Sequence, residues 1–190
     1  MTENEIVEAT LAGDAAAFND LVKQYQLAVY NLAFRMLGRV ADAEDVAQET
    51  FFRAYAKLGT FNLEQKFSTW LLSIAAHLCI DHLRRKKAVW LEEGEYQSWL
   101  SSNEEAPETA TLRKEQEREV SRLLTTLPEK YRLILVLRYW HDLSYAEISE
   151  VTRLAEGTVK TRLHRARRML LEQATRSSSL RPVLQPISAT

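Results

Sequence analysis

"LSYAEISEVTRLAEGTVKTRLHRARRML", residues 143–170, is the stretch whose reading decides the fold. It reads as a short helix, a brief turn and a second helix. Ser144 with Glu147 three residues on is a capping box that opens the first helix. In the second, Val159, Leu163, Ala166 and Leu170 recur at steps of 4, 3 and 4, which puts them on one inward stripe. Lys160, Thr161, His164, Arg165, Arg167 and Arg168 are left mainly on the outer faces. A helix-turn-helix at about 145–168 needs this pattern: one helix braces, and the other enters the major groove. Lys and Arg can reach guanine O6/N7 or a phosphate, and Thr a base edge or methyl group. Thr158 and the helix N-terminus can hold a phosphate through free backbone N–H groups. A solvated basic helix could also carry the five cations of residues 160–168. The capping box, the turn and the inward spacing together favour DNA binding.

The charge distribution agrees. The 190 residues carry a net charge of −1, which hides an asymmetry. Residues 1–87 hold 10 Lys/Arg against 11 Asp/Glu, residues 88–115 hold 2 against 7, and residues 116–190 hold 13 against 8. An acidic middle before a basic C-terminal block predicts two modules and a linker, with a polyanion as partner of the second. The chain is 46% hydrophobic, with five glycines and four prolines, which favours helices. No signal peptide or membrane-spanning run is recognisable, so a soluble cytoplasmic protein is expected. One cysteine excludes an internal disulfide framework.

Upstream, three apolar stripes have the helical period. Phe18, Leu21, Val22, Tyr25, Val29, Leu32 and Met36 form the first. Val46, Phe51, Ala54, Tyr55 and Leu58 form the second, in a segment bracketed by Gly38 and Gly59. Phe67, Trp70, Leu71, Ile74, Ala75 and Leu78 form the third. A bundle of about four helices buries three such faces. Around residues 88–110 the pattern fades into "EEGEYQSWLSSNEEAPETA", a linker in composition. Trp90, Tyr96 and Trp99 are unusual there and leave a short docked helix open. Helical periodicity returns near Thr111, with Pro128 at an expected first helical position. "TRSSSLRPVLQPISAT" reads as a frayed tail. The expected fold is therefore all-α: two small helical domains joined by a flexible acidic linker, the C-terminal one a helix-turn-helix.

Two chemical alternatives can be weighed. "HLCIDHLRRKK", residues 77–87, offers His77, Cys79, Asp81 and His82 as metal ligands. On a continuous helix they split between two faces, short of a four-ligand site, and no CxxC or HExxH occurs, so no metal is expected. The carboxylates Asp42, Glu44, Asp45 and Glu49 lack the Glu-x-x-His partners of a di-metal bundle. No Gly-rich phosphate loop or nucleophile motif appears. Neither an enzyme nor a cofactor is expected.

The helix-turn-helix resembles those of bacterial transcription factors, and "GTVK" is shared by LuxR-type regulators and the sigma-70 family. The front half decides between them. "DAEDVAQETFFRAYAKL", "GTFN" and "FSTWLLSIAAHLCIDHLRRKK" resemble conserved region 2 of an extracytoplasmic-function (ECF) sigma factor. "LPEKYRLILVLRYWHDLSYAEISEVTRLAEGTVKTRLHRARRML" is similar to region 4. The likeness covers about residues 10–172, with region 2 over 1–87, a linker over 88–115, region 4 over 116–175 and a disordered tail over 176–190.

The resemblance implies a role for each block. Segment 45–58 would dock on the beta-prime clamp of core RNA polymerase, through Asp42, Asp45, Gln48, Glu49, Phe52 and Arg53. The beta flap is the further polymerase contact it implies. An acidic, amide-bearing helix face with an aromatic border suits a basic partner helix. Residues 61–87 would melt and capture the minus-ten promoter element through Phe67, Trp70, His77, Asp81, Arg84, Arg85 and Lys86. Capture needs a pocket beside aromatics and a positive track for the strand. Phe67 and Trp70 also fit the buried stripe. A base-holding loop would include His77, Leu78 and Cys79, with His77 where the family often has Asn. Thr158, Lys160, Thr161, Arg162, His164, Arg165 and Arg167 would bind the minus-thirty-five element as duplex. Lys160, Thr161, His164 and Arg165 would lie nearest the bases. The acidic linker would thread the polymerase's RNA path, and an anti-sigma factor would restrain the chain. The alternative is a LuxR-like regulator acting alone as a dimer.

Overall fold

The computed structural model describes residues 1–93 and 120–176. Helix α1 (Glu3–Leu11) begins at a capping box: Glu5 N–H donates to Thr2 Oγ1, and Thr2 N–H to the Glu5 carboxylate. It buries Ile6, Val7 and Thr10. Helix α2 (Phe18–Leu37) stops at Gly38, which takes φ 77° and donates its N–H to Phe34 O. A glycine suits this left-handed cap. Helix α3 (Val40–Ala56) follows, then a 3-10 turn (Leu58–Thr60) and α4 (Phe67–Glu93). The second module holds a helical stretch at 120–126 (α5), α6 (Glu129–Trp140), α7 (Tyr145–Thr152) and α8 (Glu156–Arg176). All regular structure among the described residues is helical.

Three sequence boundaries shift. Pro128 stands one residue earlier than expected, at the N-cap of α6 with ψ 140°. An extended ψ before the first helical residue is compatible with proline's fixed φ. Helix α4 runs unbroken past residue 87 to Glu93. No loop forms at His77–Cys79, because the segment has no breaker and both Leu78 and Cys79 are buried. Most of the acidic linker and the tail lie outside the described residues, as do the side chain of Trp90 and the whole of Tyr96 and Trp99.

The periodic stripes form the core. Leu21, Val29, Leu32, Met36, Ala54, Leu71 and Ala75 are all fully enclosed. Helices α2, α3 and α4 pack on one another, with α1 laid against α2. Helix α4 is buried on a second side as well. It supports α7, while α6 rests on α2 and touches α4, so the two modules share one continuous core. Along this seam Ala76 and Ile80 of α4 meet Leu133, Ile134, Val151 and Leu154 around a cavity of about 90 Å³.

Polar groups cross the same seam. Arg132 of α6 is 4% exposed, and its guanidinium donates to the carbonyls of Met36, Thr125 (2.7 Å) and Leu127 (3.0 Å). Burial lowers its pKa to about 10, so it remains charged at neutral pH. Arg35 of α2 stacks 4.4 Å from the Trp140 ring centre, a cation–π contact. Gly38 admits the close approach of the second module, since a Cβ there would fall 2.9 Å from Thr125 Cγ2.

Candidate nucleic-acid and polymerase interfaces

Helices α7 and α8 form the helix-turn-helix. Ser144 Oγ accepts from Glu147 N–H at 3.2 Å, and Ser144 N–H donates to the Glu147 carboxylate at 2.8 Å. The expected capping box is therefore present. The turn bends at Arg153, which takes the left-handed φ of 55°. Ser149 secures it: its hydroxyl donates to Leu154 O at 2.5 Å, while Leu154 N–H donates to Ser149 O. That local bonding compensates for a left-handed arginine.

Helix α8 presents the predicted faces. Val159, Leu163, Ala166 and Leu170 are at most 1% exposed. Lys160, Thr161, His164 and Arg165 are exposed together on the other side. Thr161 donates its hydroxyl to Gly157 O at 2.8 Å, which leaves its oxygen lone pairs and methyl group facing out. Lys160 lies 5.6 Å from the Tyr145 ring centre, tethered to the bracing helix. Thr158, Arg162 and Arg167 are half-buried, and Arg162 lines the seam cavity. The N–H groups of Thr158 and Val159 already donate to Ala155 O, so the helix start has fewer free donors for a phosphate than its sequence implies.

The acidic face lies on α3. Asp45, Gln48, Glu49, Phe52 and Arg53 fall at spacings that share one helix side. Phe52 is 70% exposed, and Tyr55 beside it is also exposed. Glu49 and Arg53 pair at 2.6 Å. Carboxylates and a large exposed aromatic therefore stand together on this side of α3. Asp42 is different. Its carboxylate is partly buried against α4, where it holds Lys86 and stands 3.4 Å from His82 Nε2. Burial keeps His82 below its ordinary pKa.

On α4 the predicted minus-ten residues are divided. Phe67 is 1% exposed and joins Tyr25, Phe61 and Trp70 in an aromatic cluster with centroid spacings of 5.1–5.6 Å. Trp70 is half-buried. His77 is exposed, with Nδ1 2.5 Å from Ser73 O. Asp81 binds Arg84 at 2.9 Å, and Arg85 reaches Asp81 O at 3.4 Å. Lys86 is drawn to Asp42. Cys79 is enclosed beneath α6, and burial pushes its thiol pKa up to about 12. No group of three His, Cys, Asp or Glu among the described residues could hold a metal. The irregular segment bordering the aromatic cluster is 57–66, between α3 and α4. Its Asn62 carbonyl and side-chain oxygens accept from Gln65 and Glu64 N–H. The "GTFN" of residues 59–62 lies within it, with Gly59 as the breaker.

The arrangement defines a class: a helical protein with an exposed acidic, aromatic-edged helix face on one module and a basic helix-turn-helix on the other. Comparison with known proteins gives the family. Sigma-70 region 2 matches residues 21–89 and Sigma-70, region 4 matches residues 117–170. The ECF RNA polymerase sigma factor SigW of Bacillus subtilis is 41% identical over 169 residues, covering 85% of this chain and 90% of that protein. The RNA polymerase sigma-H factor of Pseudomonas aeruginosa is 36% identical, covering 96% of each. Among solved structures, CnrH in complex with the cytosolic domain of CnrY shares the fold at a TM-score of 0.67 and 23% identity, over 92% of this chain and 96% of that one. The chain belongs to the sigma-70 family, as an RNA polymerase sigma factor of the ECF type. The LuxR-type alternative has no support, since both blocks match sigma-70 regions in their sigma order.

Proposed function

We propose that this chain docks on the beta-prime clamp of core RNA polymerase through the exposed face of α3, and reads a bipartite promoter. In this reading Lys160, Thr161, His164 and Arg165 of α8 read the minus-thirty-five element as duplex. Arg162, Arg167 and Thr158 hold phosphates or neighbouring structure, and region 4 meets the beta flap. The region 2 module captures the melted minus-ten strand. Segment 57–66, with its irregular backbone beside the Phe61–Phe67–Trp70 cluster, is a better base-holding loop than continuous α4 at His77. His77, Arg84 and Arg85 supply the track beside it. RNA synthesis itself belongs to the polymerase, and the chain acts in the cytoplasm. An anti-sigma factor restrains it; a protein of the same fold, the sigma factor RpoE of Bartonella quintana, was solved in complex with the anti-sigma factor NepR.

The observation that carries the reading is the pair of exposed helix faces, acidic with Phe52 on α3 and basic on α8. Opposite charges on separate modules suit one protein partner and one DNA partner. The isolated chain is expected to bind core polymerase tightly and promoter duplex weakly. A footprint on a palindromic operator without polymerase would overturn the proposal.

A further inference from the structure

We propose that helix α1 is a clasp for the base-holding segment, with Asn4 and Glu3 as positioning residues that fix how 57–66 receives a minus-ten base. The inference rests on the reading that this segment, not His77, holds the base. The match to Sigma-70 region 2 begins at residue 21, so α1 lies ahead of it. Asn4, Val7 and Leu11 recur at steps of 3 and 4 and share one side of α1. That side is anchored in the middle, where Val7 is fully enclosed, and meets the segment at both ends. Asn4 Nδ2 donates to Leu63 O at 3.3 Å. Leu11 lies against Gly59, where an added Cβ would stand 3.9 Å from Leu11 Cδ2.

The tip of the segment is shaped by short local bonds. Gln65 N–H donates to Asn62 O at 2.9 Å, and Glu64 N–H to Asn62 Oδ1 at 3.0 Å. Such turns set the form of the tip but not its place over the aromatic cluster. Asn4 sets that place from a separate helix. Glu3 secures the helix in turn: its carboxylate accepts from Gln24 Nε2 at 3.0 Å and from the Tyr25 hydroxyl. Burial, and then the neighbouring Glu3, push that hydroxyl above its ordinary pKa, so it keeps the proton it donates. Tyr25 packs on Phe67 at 5.6 Å between ring centres, and Phe67 on Phe61 of the segment at 5.4 Å. Glu3 thus ties α1 to the floor of the site, and Asn4 ties it to the tip. A site for a flipped base discriminates when its edges are held in place. Loosening either tie should blur the choice of base more than it weakens the grip on the strand.

Asn4→Asp supplies the test. It keeps the side-chain size, removes the donor, and puts a carboxylate in the first turn of α1, where negative charge favours the helix. Its urea midpoint should therefore hold. Chain assembled with core polymerase is competed with single-stranded minus-ten oligonucleotides that carry each of the four bases at one position at a time. In Asn4→Asp the preference at one position should fall about threefold, the scale of one exposed hydrogen bond, with core binding and minus-thirty-five duplex binding unchanged. Glu3→Ala should blur the same position, and Glu3→Gln, whose amide oxygen still accepts from Tyr25, should restore it. Asn62→Ala, within the segment, tests the reading on which the clasp rests. A changed preference in Asn62→Ala, with none in Asn4→Asp or Glu3→Ala, would overturn the clasp and leave the segment's role standing. No change in any of the three would sink the segment as base holder, and the clasp with it. Equal loss at every position in Asn4→Asp would make α1 a support of the fold alone and overturn the proposal.

Discussion

Helices α4 and α8 are both rich in cations, yet the fold uses them differently. Helix α8 buries one stripe and leaves Lys160, His164 and Arg165 facing solvent. Helix α4 is buried on two sides and ties several of its cations down. Lys86 serves Asp42, and Arg84 serves Asp81. A cation count therefore overstates the charge that a helix can offer to DNA. What matters is how many sides the helix must bury, and which carboxylates share its vicinity.

The most deeply tied cation gives the largest expected effect. Arg132→Leu should cost about 3 kcal/mol or more in urea unfolding, because it strips three carbonyls of their donor. Acid makes a tied cation of another kind. Burial, and then the charge of Arg35, lower His141 from 6.5 to about 4, with Asp142 opposing. The folded chain thus binds fewer protons than the unfolded one between these values. Stability should be full above about pH 6.5, fall as pH drops towards about 4, and fall less steeply in His141→Gln, where His82, also held low by burial, still contributes. A wild-type curve without the slope would mean that His141 is not shielded from solvent in the folded chain.

The free cations and the docking face come next. Arg165→Ala should cost about 1–3 kcal/mol in minus-thirty-five binding and relax preference at one position, with stability unchanged. Equal loss on every sequence would make it a phosphate contact. Asp45→Arg should weaken core polymerase binding about tenfold, roughly 1.4 kcal/mol, without altering DNA contact. Lys86→Ala should lower stability by about 1 kcal/mol and leave single-stranded minus-ten affinity almost unchanged. A large loss of strand affinity would return Lys86 to the track and erase the contrast between the helices.

The recognition helix was legible because it buries one side only. Steps of 4, 3 and 4 survive when nothing else competes for the helix. Helix α4 hid its second buried side. The stripe from Phe67 to Leu78 was visible, but Ala76 and Ile80 fell among its polar neighbours and looked incidental. For the same reason the seam was not foreseen; modules expected to be merely linked lie in contact. Asp42 and Asp45 are one helical turn apart and chemically identical, so sequence could not tell which one the fold uses. Helix α1 was missed although "TENE", residues 2–5, carries its capping box. No breaker interrupts His77–Cys79, so the loop expected there is helix, and the irregular backbone before α4 falls at 57–66 instead.

The most direct test of the central claim is run-off transcription with purified core polymerase across a promoter library. The account predicts transcripts only from templates sharing two short sequence blocks. Changes to the upstream block should be sensed by Arg165→Ala, and changes to the downstream block should not. Equal transcription from all templates, or none above core enzyme alone, would contradict it.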